Sequence, residues 1–184
     1  MKIGLFGGAF DPVHNGHVAV MSAALNAGID RLILIPTGNP PHKNKSSVTD
    51  EDRLKMLSLA AANKKNVTIS SYELEKEGVS YSADTAEHFS RLFPKDELFF
   101  IIGDDSYRDF GLWHEPERIM KVCTLLVFPR AGEEVLPPAV KMPMKKVEIS
   151  SSEIRKKIKC GMDISGAVPE GVLNYIYEKK LYMD

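Results

Sequence analysis

His14 and His17 stand three residues apart, behind a Gly7-Gly8 pair that directly follows an apolar run at 2–6. Imidazoles at this spacing can face one side of a helix, and each can donate a hydrogen bond to an oxyanion. Glycines that end a strand free backbone N–H groups, and a helix N-terminus behind them carries partial positive charge. These are the ingredients of a phosphate site. The glycines alone would serve equally well as a tight turn, so the histidines decide the reading. An H-x-x-H pair without a third ligand is thin support for a metal site.

A second constellation lies at 149–155, Ile-Ser-Ser-Ser-Glu-Ile-Arg. Ser150 and Glu153 have the spacing of a capping box, which any helix start could use. Capping leaves Arg155 unexplained. The Ser151 and Ser152 hydroxyls, the N–H groups of a first turn and a guanidinium form a second anion site, suited to charge spread over several phosphate oxygens. No G-x-x-x-x-G-K-[ST] occurs, and Gly4, Gly7 and Gly8 do not fit G-x-G-x-x-G, which argues against a P-loop or a dinucleotide-cofactor site.

The elements that must hold these groups follow from periodicity. Apolar, β-rich runs at 2–6, 31–35, 67–70, 98–102 and 124–128 alternate with stretches of helical pattern, which predicts an α/β fold: a mainly parallel sheet with helices on both faces. The first helix is expected over 16–27 with Gly28 closing it, and the second over 49–63, with Thr49 as N-cap and Asp52 three residues on. The proline-rich loop at 36–48, which carries Lys43, follows a strand's C-terminal end and belongs on the binding rim. The stretch 135–144 reads as a surface connection, 146–149 as a short strand, and 151–160 and 169–179 as the last helices.

Composition narrows the function. The chain has 184 residues, 43% of them hydrophobic, enough for one domain spanning 1–184 with a substantial core. A formal net charge of -1 offers no long-range attraction to nucleic acid or to an anionic membrane. Cys123 and Cys160 form no zinc pattern and no disulfide framework, and no apolar run approaches a membrane span. A soluble, cytoplasmic protein is expected, with no partner among nucleic acids or membranes.

The first motif resembles the G-x-F-D-P-x-H-x-G-H signature of the nucleotidyltransferase superfamily, and the serine motif resembles its I-S-S-T-x-I-R counterpart. Along nearly its whole length the chain is similar to the bacterial nicotinate-nucleotide adenylyltransferases. The likeness extends through Pro40-Pro41-His42-Lys43, Asp52-Arg53-Leu54-Lys55-Met56-Leu57, Ser80-Tyr81-Ser82-Ala83-Asp84-Thr85, Phe99-Phe100-Ile101-Ile102-Gly103-Asp104-Asp105, Leu112-Trp113 and Phe128-Pro129-Arg130. Ala9 stands where the family usually has Thr or Ser, and Ser152 where it usually has Thr. The missing hydroxyl at Ala9 leaves a backbone N–H to serve in its place.

The resemblance implies a Rossmann-like, doubly wound fold and transfer of the adenylyl group of ATP, accompanied by Mg²⁺, to nicotinate mononucleotide. The products would be nicotinate adenine dinucleotide and pyrophosphate, a step of NAD biosynthesis. It implies that Gly7, Gly8, Ala9, Phe10, His14 and His17 bind ATP, with His14 and His17 contacting its phosphates and His17 stabilising the pentavalent α-phosphate. Ser151, Ser152 and Arg155 would hold the β- and γ-phosphates, Lys43 would add a cation, and Gly103 and Asp105 would contact the adenosine. The helices from about 151 to 184 would complete the ATP site. His14, His17 and Arg155 are the expected catalytic residues. On the acceptor side the resemblance implies stacking by Trp113, hydrogen bonds to the pyridine carboxylate from Thr85 and the backbone N–H of His114, and weaker roles for Asp11 and Arg130. Nicotinamide mononucleotide or phosphopantetheine are the alternative acceptors, and a non-catalytic nucleotide-binding regulator is the alternative of another class. Oligomeric state is not legible.

Overall fold

The strands sort their side chains by parity, and that sorting builds the molecule. In the computed structural model, which describes residues 1–39 and 48–183, β1 (Lys2–Gly8) and β2 (Arg31–Pro36) pair in parallel at the centre of a sheet. Leu32 and Leu34 enter one core, while Ile33 and Ile35 enter the other. The same alternation runs through β4 (Glu97–Gly103) and β5 (Thr124–Phe128): Ile101, Leu126 and Phe128 face one side, and Phe100, Ile102, Leu125 and Val127 face the other. Strands apolar on both faces must be covered on both faces. One layer consists of α1 (Asn15–Asn26), α2 (Asp50–Ala61), α7 (Ser151–Lys159) and α8 (Glu170–Glu178). The opposite layer is built chiefly from α4 (Ser82–Leu92) and α6 (Pro116–Val122), with the short α3 (Tyr72–Glu75) and α5 (Asp104–Arg108) beside them.

The six strands lie in the order β3-β2-β1-β4-β5-β6, all parallel, with β3 at Val67–Ile69 and β6 at Val140–Lys141. This is the doubly wound order expected from the alternation of runs. Its direction of winding reverses between β1 and β4, and a crevice opens there beyond the strands' carboxyl ends. Gly7-Gly8 and Gly103-Asp104-Asp105 occupy those two ends.

Local signals set the helix limits. Thr49 caps α2 by accepting the Asp52 N–H at 3.1 Å, and the Asp52 carboxylate accepts the Thr49 N–H at 3.3 Å, the reciprocal box read from the sequence. Gly28, just past the end of α1, has φ +94, a conformation that side chains disfavour.

Two expectations near the C-terminus fail. The stretch 135–144 is more than a surface connection: Val140–Lys141 adds the sixth strand, and Met142 is buried with its N–H donating to Val127 at 2.7 Å. The segment 146–149 is not a strand. With β6 beside β5, this stretch instead passes over the end of β5, where the Val147 N–H reaches the Pro129 carbonyl at 2.9 Å and its side chain enters the core. An alternating pattern over so few residues records burial of alternate side chains without fixing a ladder partner.

Candidate active site

His14 is the N-cap of α1, and His17 is its third residue. The His17 N–H donates to His14 Nδ1 at 3.4 Å, and the His14 N–H donates to His17 Nδ1 at 3.2 Å. Two imidazoles thus perform the exchange that Ser or Thr and Glu usually perform in a capping box. Since both Nδ1 atoms accept, the hydrogen-bond pattern assigns the proton of each neutral ring to Nε2. The rings stack with centroids 3.7 Å apart, so the two donors belong to one face. Burial, and then the nearby Arg130 guanidinium, push the His14 pKa down to about 4. Burial, His14 and Arg130 hold His17 well below its ordinary value. Both are neutral donors near pH 7.

The turn before α1 is shaped to hold these rings. Phe10 adopts φ +48 with its ring buried, packed edge-on against Phe6 at 5.6 Å and against His17 at 4.9 Å. The Phe10 side chain is therefore a support for His17, and this residue can face a ligand only through its backbone. Gly16 is sterically required: a Cβ there would lie 2.5 Å from Val147 Cγ1 and 2.9 Å from His14 Nδ1. Gly8 lies over the Phe10 ring, at whose Cζ an added Cβ would stand 3.1 Å away. The Ala9 carbonyl accepts from Arg53 Nη1 at 3.0 Å, and the same nitrogen reaches the Thr37 carbonyl at 2.9 Å. Arg53, 3% exposed, thereby joins the loops that follow β1 and β2.

The second motif docks onto the first. Ser150 caps α7 by accepting the Glu153 N–H at 3.3 Å, and the Ser151 hydroxyl donates to the Pro12 carbonyl at 2.9 Å. Arg155 Nη1 donates to the Asp11 carbonyl at 2.6 Å, and Nη2 is 3.5 Å from Ser152 Oγ. Residues separated by 139 and 144 positions in sequence are tied at one edge of the crevice. The Ser151 proton is committed to that tie, so Ser152 and Arg155 are the side chains left to turn towards an anion. Asp11 also belongs to this edge: it is buried, and it accepts from the Tyr182 hydroxyl at 2.8 Å. These ties join the signature turn to α7 and the C-terminal tail.

Across the crevice, a Cβ on Gly103 would meet Asp105 Oδ1 at 2.5 Å, so glycine is what lets Asp105 fold back over the end of β4. Among the described residues that oxygen is buried without a hydrogen-bond partner, while Oδ2 lies 3.5 Å from Arg130 Nη1. Arg130 lines the cleft with His14, His17, Phe128 and Ile149. It thus stands beside the histidines and Asp105. Its own loop is fixed by the adjacent Asp104, whose carboxylate accepts the N–H groups of Arg130, Ala131, Gly132 and Glu133 at 2.6–3.0 Å. Burial by itself would raise the Asp104 carboxyl, and these donors together hold it below the usual range.

The expected acceptor residues are arranged differently. Trp113 is half-buried, with its ring 5.3 Å from Phe110 and 6.4 Å from Phe100. His114 is exposed, 3.1 Å from the Glu115 carboxylate and with its ring 4.0 Å from that of Tyr81. Thr85 is 2% exposed, and its hydroxyl donates to Glu73 Oε1 at 2.7 Å. A hydroxyl has one proton, so in this arrangement Thr85 offers a ligand only lone pairs, contrary to the expectation that it donates to a carboxylate. Glu73 Oε2 accepts the Gly38 N–H at 3.3 Å, and burial raises the Glu73 pKa against these donors. Lys43 lies outside the described residues.

Arg53, Glu73, Asp104 and Tyr182 were missed as site-building residues. A buried ionisable side chain has no local pattern; only the proximity of Asp104 to Asp105 and of Arg53 to the Thr49–Asp52 box hinted at two of them.

The cytidylyltransferase-like family matches residues 5–157 of the chain. A Thermus thermophilus protein named "Probable nicotinate-nucleotide adenylyltransferase" is 42% identical over 186 residues, covering 99% of this chain and 100% of its own. A Clostridium tetani protein of the same name is 38% identical over 197 residues, covering 98% of each. Among solved structures, the Plasmodium falciparum nicotinic acid mononucleotide adenylyltransferase complexed with NaAD superposes with a TM-score of 0.84 at 21% identity, covering 98% of this chain and 97% of that one. At that identity the likeness speaks for the fold.

Proposed function

The chain belongs to the nicotinate-nucleotide adenylyltransferases within the cytidylyltransferase-like family, and from that premise we infer that it transfers the adenylyl group of ATP to nicotinate mononucleotide in NAD biosynthesis. The observation that carries the reading is the pair of stacked, neutral histidines whose Nε2–H donors share one face at the sheet's switch point. Such a site holds charge and offers no nucleophile of its own. The reaction needs none. The acceptor's 5′-phosphate, with a second pKa near 6, is largely ionised at pH 7, and one of its oxygens attacks the α-phosphorus. A P–O bond forms as the bond to the β-phosphate bridging oxygen breaks, and that oxygen leaves in pyrophosphate.

Catalysis then rests on alignment of two anions and on donors that meet charge as it develops. His17, held against Phe10 and Phe6, is suited to the α-phosphate, with His14 beside it. Arg155, Ser152 and the start of α7 are suited to the β- and γ-phosphates, so that the C-terminal helices complete the ATP site. The buried Asp105 Oδ1 is suited to a ribose hydroxyl. Mg²⁺ would arrive as part of the ATP complex, held by phosphates and water. With the Thr85 proton on Glu73, recognition of the pyridine carboxylate falls to backbone N–H groups near Trp113 and His114, and the Trp113 ring would stack on the pyridine.

The test is pyrophosphate release from ATP and Mg²⁺ with nicotinate mononucleotide, nicotinamide mononucleotide or phosphopantetheine offered separately at matched concentration. Preference for the acid is expected. Preference for another acceptor would overturn the substrate assignment, and ATP binding without release would overturn the transfer reaction itself.

A further inference from the structure

The loop that carries Trp113 and His114 is joined to α4 through charge. Glu115 ends that loop in a left-handed conformation, φ +48, at the N-cap of α6. Its carboxylate lies 3.1 Å from His114 Nε2 and accepts from Arg118 Nη1 at 2.7 Å. Arg118, in the first turn of α6, directs its other nitrogens to α4: Nε donates to Glu87 Oε1, and Nη2 to Glu87 Oε2 and to Asp84 Oδ1, each at 2.9 Å. Asp84 precedes Thr85 in the chain and Glu115 follows His114, so one guanidinium gathers the carboxylates that flank both expected acceptor residues. Other charged groups attend the cluster. Lys76 Nζ is 2.7 Å from Asp84 Oδ2, Arg91 Nη2 is 3.3 Å from Glu87 Oε2, and Glu73 stands behind Thr85 as its hydrogen-bond acceptor. This wall of the crevice therefore sets Glu73, Asp84, Glu87 and Glu115 against Lys76, Arg91 and Arg118.

We propose that Arg118 is a specificity-determining residue for the acceptor: its charge offsets the carboxylates of this wall, so that an acceptor with a carboxylate on its ring can settle there. This rests on the reading of Thr85 and His114 as neighbours of the pyridine substituent. Arg118 acts through its field and through the residues it holds, without touching the ligand. The Arg118 bond keeps Glu87 below the ordinary carboxyl range, and Lys76, followed by Arg118, does the same for Asp84, so both carry full charge near neutral pH. Without the guanidinium, their charge and that of Glu115 would oppose a second anion arriving beside them. A neutral carboxamide on the same ring meets no such opposition, and specificity is the difference between the two. An ion-pair network reached by water adds little to stability, but the potential that it sets for a neighbouring anion depends only on where the charges stand. A loop that was merely loosened would weaken both acceptors alike, since they differ only in the ring substituent.

The experiment compares Arg118→Met, Arg118→Lys and Arg108→Met in the full chain, with nicotinate mononucleotide and nicotinamide mononucleotide as acceptors. Arg108 is the control, an exposed guanidinium bonded to Asp109 and Glu133 and to neither carboxylate of α4. At low salt, Arg118→Met should lower the acid-to-amide ratio of kcat/KM about fivefold, through the KM for the acid, with the KM for ATP within about twofold. Towards about 0.5 M salt that loss should shrink below about twofold, because a field is screened and a missing packing contact is not. Arg118→Lys keeps the charge and loses the fork, and should hold the ratio within about twofold of the wild type. Arg108→Met should leave it in place. An unchanged ratio, equal losses for both acceptors, a loss indifferent to salt, or an Arg118→Lys variant as impaired as Arg118→Met would overturn the proposal and make Arg118 a clasp of the loop. Equilibrium dissociation constants of the two mononucleotides keep the test separate from the assigned reaction. If the wild type releases pyrophosphate with neither acceptor, that assignment fails, and the ratio of the two constants still reports on Arg118.

Discussion

The side of the crevice proposed to hold the phosphates and the side proposed to hold the acceptor are built by different means. On the phosphate side nearly every group of interest is fixed by backbone: two histidines cap a helix with each other, Ser151 and Arg155 hold the carbonyls of Pro12 and Asp11, and Asp104 gathers the N–H groups of the loop carrying Arg130. On the acceptor side Trp113 rests on the rings of Phe110 and Phe100, His114 leans on Tyr81 and Glu115, and the neighbouring Leu112 is 85% exposed. Preorganised donors suit the part of a reaction where charge moves. Contacts through rings and exposed side chains suit selection of a substrate, where adjustment on binding costs little.

The largest effect that should separate the two sides is that of His17→Ala. Loss of a donor aimed at developing charge is expected to reduce kcat by about 10²–10³-fold while ATP affinity changes only a few-fold. Single-turnover kinetics with a separate binding titration would check it. An equal loss of affinity with unchanged turnover at saturation would assign His17 to ground-state binding.

Next comes acidity. The folded pKa of His14, about 4, lies below its ordinary 6.5, so the unfolded chain takes up that proton first. Stability is complete above about pH 6.5 and drains away as the pH falls towards 4, by on the order of 2–3 kcal/mol for this ring, and His17 adds in the same direction. Urea unfolding between about pH 7 and pH 4.5 measures this. A His14→Gln variant should show a smaller pH slope, and an unchanged slope would place the titration elsewhere.

Trp113→Ala should raise the KM for the acceptor about tenfold, in line with loss of an aromatic stack, and leave that for ATP nearly unchanged. Equal rises in both would make the tryptophan a core residue and erase the contrast between the sides. Smallest of all, Ser150→Ala removes only the cap of α7 and should cost about 1 kcal/mol of stability, read as a shift in urea midpoint.

The same contrast governs what could be read from the chain. The doubly wound sheet, the Thr49–Asp52 box and both anion motifs were legible because each depends on a period or a spacing of a few residues. His14 and His17 were recognised as donors, although the reciprocal cap that fixes their tautomers appears only once the backbone is folded. Glu73 and Tyr182 gave no signal, and Arg53 only its place beside the Thr49–Asp52 box, because their partners lie 12, 171 and 44 positions away and no periodicity links them. The ties of Asp11 to Arg155 and Tyr182, and of Arg130 to Asp105, were illegible for the same reason: the first span 144 and 171 positions, and the last joins residues on different strands' ends. β6 escaped because a strand of two residues, Val140–Lys141, carries too little pattern to stand out between prolines.

The brevity of β6 has a consequence for life in a crowded solution. A parallel sheet ends in two open edges, each a row of unsatisfied N–H and C=O groups that could template another chain. Here the edges are Val67–Ile69 and Val140–Lys141, three and two residues long. The strands rich in Ile, Leu and Phe are kept inside. A stranger's strand would find only two or three residues to zip against, so the protein's resistance to edge-to-edge aggregation is built into the lengths of its outermost strands.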